Sequence, residues 1–281
     1  MRHLIRRNLL LYFRNLSHVL LSLLGAIISF GLYLIFLRSN LEASFSQIPD
    51  SRMVLNFWVI ASTLTIAGMT TTLSNLSQMT RDFEQGVRND LLMAPLGYWK
   101  LQLSYLLSAI LVGILMQVLV LIIMLAYFII VDGMVMRWNI LPQLLLIIFL
   151  SSSLSSILNM IIISFVKTSS SLGSIETIIG TASGFLIGAY MPIGIMPNFT
   201  QTLMKATPQL YIASLFRQVL MNEELEQIIF FARNRVIEIM GVKIKWGELL
   251  TLQTTYSIVV VMIVVAAIIL GCVLWAQKKK R

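Results

Sequence analysis

Uncharged runs at 15–37, 53–80, 101–131, 138–166, 177–204 and 249–277 take up most of this 281-residue chain. Each is at least as long as the roughly 20 residues a helix needs to cross about 30 Å of hydrocarbon. None shows the alternation of the roughly 10-residue strands that build membrane barrels. Charged residues make up 12% of the chain and hydrophobic ones 58%, against about 25% charged in ordinary globular domains. A protein of this size has too little interior to hide so much apolar surface, so lipid must be its main solvent. The expectation is an all-α, polytopic membrane protein with six transmembrane helices, forming a single transmembrane domain over 1–281.

The basic residues give the orientation. An even number of spans puts both termini on one side, and that side collects twelve of the 21 Lys and Arg against four acids. The other side carries nine basic residues offset by eight acids, six of the nine lying between the last two spans. The excess of cations marks the cytoplasmic face, so both termini are expected there. The net charge of +9 is then explained by topology and attraction to the membrane surface, without a nucleic-acid partner. Within residues 1–14, Arg2, Arg6, Arg7 and Arg14 fall in one sector at helical spacing, and Leu4, Ile5, Leu9, Leu11 and Tyr12 fall opposite. Such a segment reads as an amphipathic interfacial helix in the headgroup layer, or more simply as a basic topogenic leader, and the two are compatible.

Punctuation between the runs sets the loops. Pro49-Asp50 signals a turn in the first outer loop, and Asp132-Gly133 a tight turn between the third and fourth spans. Residues 81–100 read as a cytoplasmic elbow of helix, break and helix, with Gly86 and Ala94-Pro95-Leu96-Gly97 as breakers. In the fifth run, Pro192 and Pro197 argue against one straight helix, so the crossing is set at 177–191. Asn198–Ala206 is expected to return as a short re-entrant helix within an outer loop over 192–248. Glu223–Met240 reads as an outer amphipathic helix. Gly180, Gly184 and Gly188 recur every four residues, a stripe that suits close helix packing or a cargo groove.

Several chemistries are missing from the sequence. It contains no Gly-x-x-x-x-Gly-Lys-[Ser/Thr] phosphate loop, no His-Glu-x-x-His and no Gly-x-Ser-x-Gly. Cys272 stands alone in the last span, and His3 and His18 lie far from any carboxylate cluster, so no metal or catalytic site is expected. The spans are almost free of ionisable groups, with Glu176 at an edge, whereas ion-coupled carriers depend on such groups. Their absence counts against a proton-driven carrier and favours a protein whose energy arrives from outside the membrane. Thr63, Thr65, Thr70, Thr71, Thr72, Ser74 and Asn75 give the second span a polar seam. Hydroxyls bonding to backbone carbonyls account for this seam as well as a path for an amphipathic cargo does.

The segment from Arg81 to Leu96, Arg-Asp-Phe-Glu-Gln-Gly-Val-Arg-Asn-Asp-Leu-Leu-Met-Ala-Pro-Leu, resembles the acidic-x-Gly…Leu-Leu-x-x-Pro-Leu elbow of type-2 ABC exporter permeases. Met196-Pro197, Pro208-Gln209-Leu210-Tyr211 and Arg217 are similar to that family's outer-loop signature, and the resemblance runs over essentially the whole chain. The chain departs from the pattern in lacking a second acid nearer Arg88 and in its long outer loop, which bears on cargo more than on mechanism. The resemblance implies a plasma-membrane permease, paired with a second copy or a paralogue, that exports drugs, antimicrobial peptides or toxins. Two cytoplasmic ATPase subunits would bind ATP and Mg, leaving this chain without cofactor or catalysis. Arg81, Asp82, Glu84, Gly86 and Arg88 become the candidate ATPase-coupling residues; without the resemblance they read as a solvated turn. The candidate cargo path comprises Thr63, Thr70, Thr71, Ser74, Asn75, Thr181 and Tyr190. Two other readings stay open, an ATPase-independent channel or secondary carrier and a membrane assembly factor without transport.

Overall fold

The computed structural model describes residues 1–44, 51–93, 97–135, 137–226 and 230–279. The Pro49-Asp50 turn, the Ala94-Pro95-Leu96 breaker and the terminal Lys280-Arg281 lie outside the described residues. Helix α1 (Arg2–Arg14) buries Leu4, Asn8 and Tyr12, one residue per turn, while Arg2, Arg6 and Arg14 stay exposed. At Asn15 the chain leaves α1, and the Asn15 side chain accepts the His18 amide to start α2 (Leu16–Ser22). After α3 (Leu24–Leu32), a wider turn at Tyr33–Leu37 leads into α4 (Arg38–Ser44). The long helices α5 (Ser51–Glu84) and α7 (Gly97–Asp132) flank the short α6 (Val87–Met93). Then come α8 (Leu141–Ile163), opened by Pro142 in its first turn, and α9 (Ser169–Leu186). Four short helices follow: α10 (Asn198–Ala206), α11 (Pro208–Leu220), α12 (Asn222–Glu226) and α13 (Phe230–Ile239). A two-residue antiparallel ladder turning at Gly247 precedes the last helix, α14 (Leu252–Lys279).

Among the described residues, five helical stretches are long and apolar enough to cross a membrane: Leu24–Ala43, Ser51–Glu84, Gly97–Asp132, Trp138–Ile163 and Leu252–Lys279. The first begins later than the expected 15–37, because the helix is interrupted at Leu23 and 16–22 forms a separate piece. Helix α9 occupies the expected fifth span but is not one of the five. Its Ser, Thr and Gly residues and Glu176 lower its hydropathy.

Helix α5 runs through the centre, packed against α3, α7, α8, α9 and α11, and Trp58, Ile60 and Leu64 are wholly buried. Its hydroxyls turn back on its own backbone: Ser62 donates to the Trp58 carbonyl, Thr65 to Ala61 and Thr72 to Gly68, at 2.7–2.9 Å. A buried helix can carry these residues because each hydroxyl is satisfied one turn away. Close approach depends on two small residues. A Cβ on Gly68 would lie 2.6 Å from Gln117 Nε2, and one on Gly113 would lie 2.6 Å from Thr72 Cγ2. The expected stripe at 180, 184 and 188 is not a single seam. Gly180 faces open space, Gly184 is covered by the ring of Tyr190, and Gly188 turns the chain at φ +71°.

The described residues of 192–248 form a cap on the ends of α5 and α9 that lie away from the elbow. Gln209 to Leu220 of α11 are all buried; within the expected helix over Glu223–Met240, 227–229 lie outside the described residues, and the parts on either side are helical as α12 and α13. Arg217 is fully buried at the centre of this cap. It donates to Ser62 Oγ at 2.8 Å, to the Ile187 and Gly188 carbonyls at 3.0 Å and to the Gly241 carbonyl at 3.3 Å, with its guanidinium over the Trp58 ring. Trp58 Nε1 donates to the Met240 carbonyl at 2.9 Å. Arg217 thus closes the C-terminal turn of α9 with its own donors and joins it to α5 and the cap.

Arg217→Ala strands these acceptors in a dry interior and is expected to cost about 3–5 kcal/mol. This appears as a clear fall in the melting temperature of the purified protein in detergent. Arg217→Lys restores only part of the loss, since a point-like ammonium cannot reach the acceptors that the planar fork spans.

Candidate coupling elbow and intramembrane cavity

The elbow is shaped by one glycine. Helix α5 ends at Glu84, Gly86 takes φ +78°, and α6 starts at Val87. A Cβ at Gly86 would meet nothing within 4 Å, so glycine is needed there for its backbone conformation and not for space. The five candidate coupling residues divide by environment. Asp82 is buried and accepts both guanidinium nitrogens of Arg7 at 2.8 Å, Gln78 Nε2 at 2.7 Å and the Tyr105 hydroxyl. It ties α1, α5 and α7 together and is not an exposed contact. The hydrogen bond to Asp82 holds the Arg7 guanidinium above its ordinary range. Arg88 is also buried, over the rings of Phe83 and Tyr98 at 5.6 and 5.9 Å. Glu84 is exposed and accepts the Ser169 amide at 3.1 Å together with the Ser169 hydroxyl. Its carboxylate therefore sits on the first turn of α9, where the helix dipole favours an anion. The exposed rim of the elbow is Phe83, Glu84, Gln85, Asn89, Asp90 and Met93. Asn89, Asp90 and Met93 did not stand out in the sequence, and their position on the rim follows from the turn at Gly86.

Above the elbow, α2, α3, α5 and α9 line a half-open cavity of about 830 Å³. Four of the candidate cargo residues line it: Thr70 and Ser74 from α5, Thr181 from α9, and Tyr190. The other three do not. Thr63 is buried, Thr71 donates to the Ala67 carbonyl at 2.6 Å, and Asn75 accepts Ser108 of α7 at 3.1 Å. The polar seam is therefore two-sided, with one edge on the cavity and the other inside the α5–α7–α8 bundle. Arg81 also lines the cavity, which separates it from the elbow rim. Among the described residues no group of three His, Cys, Asp or Glu is placed to hold a metal ion.

Helices α1 to α11, with both elbow and cavity, fall within residues 1–221, and these residues match the family model of the ABC-2 type transporter. The chain belongs to the ABC-2 type transporter family. No curated protein matches it. It is a multi-pass membrane protein and a transporter permease, and its family implies partnership with an ABC ATPase subunit. The match stops before α12, but α14 packs against α8 and α11 and completes the permease bundle.

Arg7→Ala leaves the buried Asp82 carboxylate without its cation. The expected loss is about 2–3 kcal/mol, allowing for the partial exposure of Arg7. Limited trypsinolysis checks this: cleavage at the arginines of α1 is expected to quicken about tenfold as the helix detaches.

Proposed function

We propose that this permease is the membrane-spanning subunit of an ATP-driven exporter of amphipathic small molecules, drugs or peptides at the plasma membrane. Two copies, or this chain and a paralogue, would line the path. Two cytoplasmic ATPase subunits would bind ATP and Mg and hydrolyse the nucleotide. In this reading both termini are cytoplasmic, α9 is the sixth span, and α10 and α11 are re-entrant from the outer side. Multidrug or toxin efflux is the transport class that fits an apolar cavity with a polar edge.

The observation that carries the proposal is the bond from Glu84 to the start of α9. One residue of the elbow thereby joins α5 to α9, two walls of the cavity. Closure of the ATPases against the exposed rim would move both walls together, a rigid-body transmission between two states. The mixed polar character of the rim suits a reversible interface. The coupling roles proposed for the five elbow residues differ. Glu84 and Gly86 act at the contact, Asp82 and Arg88 brace it from within, and Arg81 acts on the cavity side.

Co-purification with the cognate ATPase, followed by ATP turnover and cargo efflux in liposomes, tests this reading. Glu84→Arg breaks the link to α9, and Gly86→Trp cannot adopt the left-handed turn without strain. Each is expected to lower ATP-dependent efflux about tenfold or more. If complex formation and efflux were untouched by both, the coupling role would be refuted. Efflux that runs without the ATPase would favour the channel or secondary-carrier reading.

A further inference from the structure

The cavity has a charged end and an apolar length. Leu21, Leu24, Ile28 and Leu32 of α2, α3 and Phe185 of α9 give it greasy walls, while His18, Ser74, Arg81 and Glu176 line its polar part. Glu176 Oε1 is buried and accepts no hydrogen bond from the protein. Arg81 is near enough to act electrostatically on both His18 and Glu176. Among the described residues, however, no ion pair joins Arg81 to Glu176 and no hydrogen bond from Arg81 reaches it. His18 has its Nε2 engaged with Ser74 Oγ at 2.8 Å, and among the described residues no hydrogen bond joins it to Glu176. A cation and an anion therefore line one half-open cavity without contact, an arrangement that forgoes much of their attraction.

We infer that this cavity binds a single-chain amphiphile with a zwitterionic head, its ammonium at Glu176, its anionic group at Arg81 and its chain along α3. The inference rests on the permease reading, since it names the ligand class of the proposed cargo path. A lone cation would leave Arg81 unmatched and a lone anion would leave Glu176 unmatched, whereas a zwitterion satisfies both and brings no net charge into the membrane. The volume of about 830 Å³ lies within the range of about 300–1,000 Å³ typical of small-molecule sites.

Equilibrium binding to the permease in phosphatidylglycerol nanodiscs tests this with three labelled probes of equal chain length: lauroyl-lysophosphatidylethanolamine, dodecylamine and dodecanoate. The zwitterion is expected to bind about tenfold more tightly than either singly charged probe. Glu176→Gln and Arg81→Gln should each remove that lead, and Glu176→Asp should restore part of it. Gly180 faces open space on the cavity wall, so Gly180→Leu should fill the cavity and abolish binding of all three while leaving the melting temperature near that of the parent. Equal affinities for the three heads, or a lead unchanged by both charge substitutions, would overturn the inference. So would failure of every probe to bind the parent permease. Binding is measured without ATPase or nucleotide. Its failure leaves the proposed energy coupling standing, and loss of the ATPase complex would leave this result readable.

Discussion

Helix α5 has protein on every side along most of its length, and the rest of the architecture follows from how its polar groups are satisfied there. In water its threonines and serines could bond solvent. Surrounded by α3, α7, α8, α9 and α11, Ser62, Thr65 and Thr72 bond the carbonyl one turn back and Asn75 accepts from Ser108 of a neighbouring helix, while the Thr63 hydroxyl finds no partner among the described residues. Gly68 and Gly113 let α7 and α8 come close enough to complete this packing. The result is a stiff central helix whose two ends carry the charged groups that matter. What is attached at one end is mechanically joined to what is attached at the other.

Those ends are anchored by opposite charges. At the elbow end the buried Asp82 gathers Arg7, Gln78 and Tyr105 and fixes the amphipathic α1 against α5 and α7. At the opposite end the buried Arg217 gathers Ser62 and three backbone carbonyls. Helix α9 is held at both of its own ends by the same frame, through Glu84 at Ser169 and through Arg217 at Ile187 and Gly188. Between these fixed points it packs on α5 and touches α3, and the cavity lies between these walls. A wall bound to the elbow through Glu84 is suited to being moved from there.

Much of this was legible in the chain. The apolar runs gave the long helices because hydrocarbon demands continuous internal hydrogen bonding over a set length. The arginine spacing in 1–14 gave α1, and Gly86 gave the elbow, since both depend on neighbours within a few residues. The division of the threonine seam was not legible. Residues one helical turn apart share a face, but which face meets the bundle and which the cavity depends on where α7, α8 and α9 come to lie. The roles of Asp82 and Arg88 were hidden for a similar reason. A mixed-charge patch looks solvated until the partner that buries each charge is known, and for Asp82 that partner stands 75 residues away.

By itself the sequence determined that this chain lives in lipid as a bundle of helices, bends at Gly86 and lacks a nucleotide-binding loop of its own. Hydropathy, backbone conformation and motif chemistry are local properties and survive being read one segment at a time. Tertiary structure alone decided that Arg217 reaches Ser62 across 155 positions, that Glu84 sits on the start of α9, and that Arg81 and Glu176 share a cavity. Electrostatic partnership depends on distance in space and on exclusion of water, and the packing of the helices sets both.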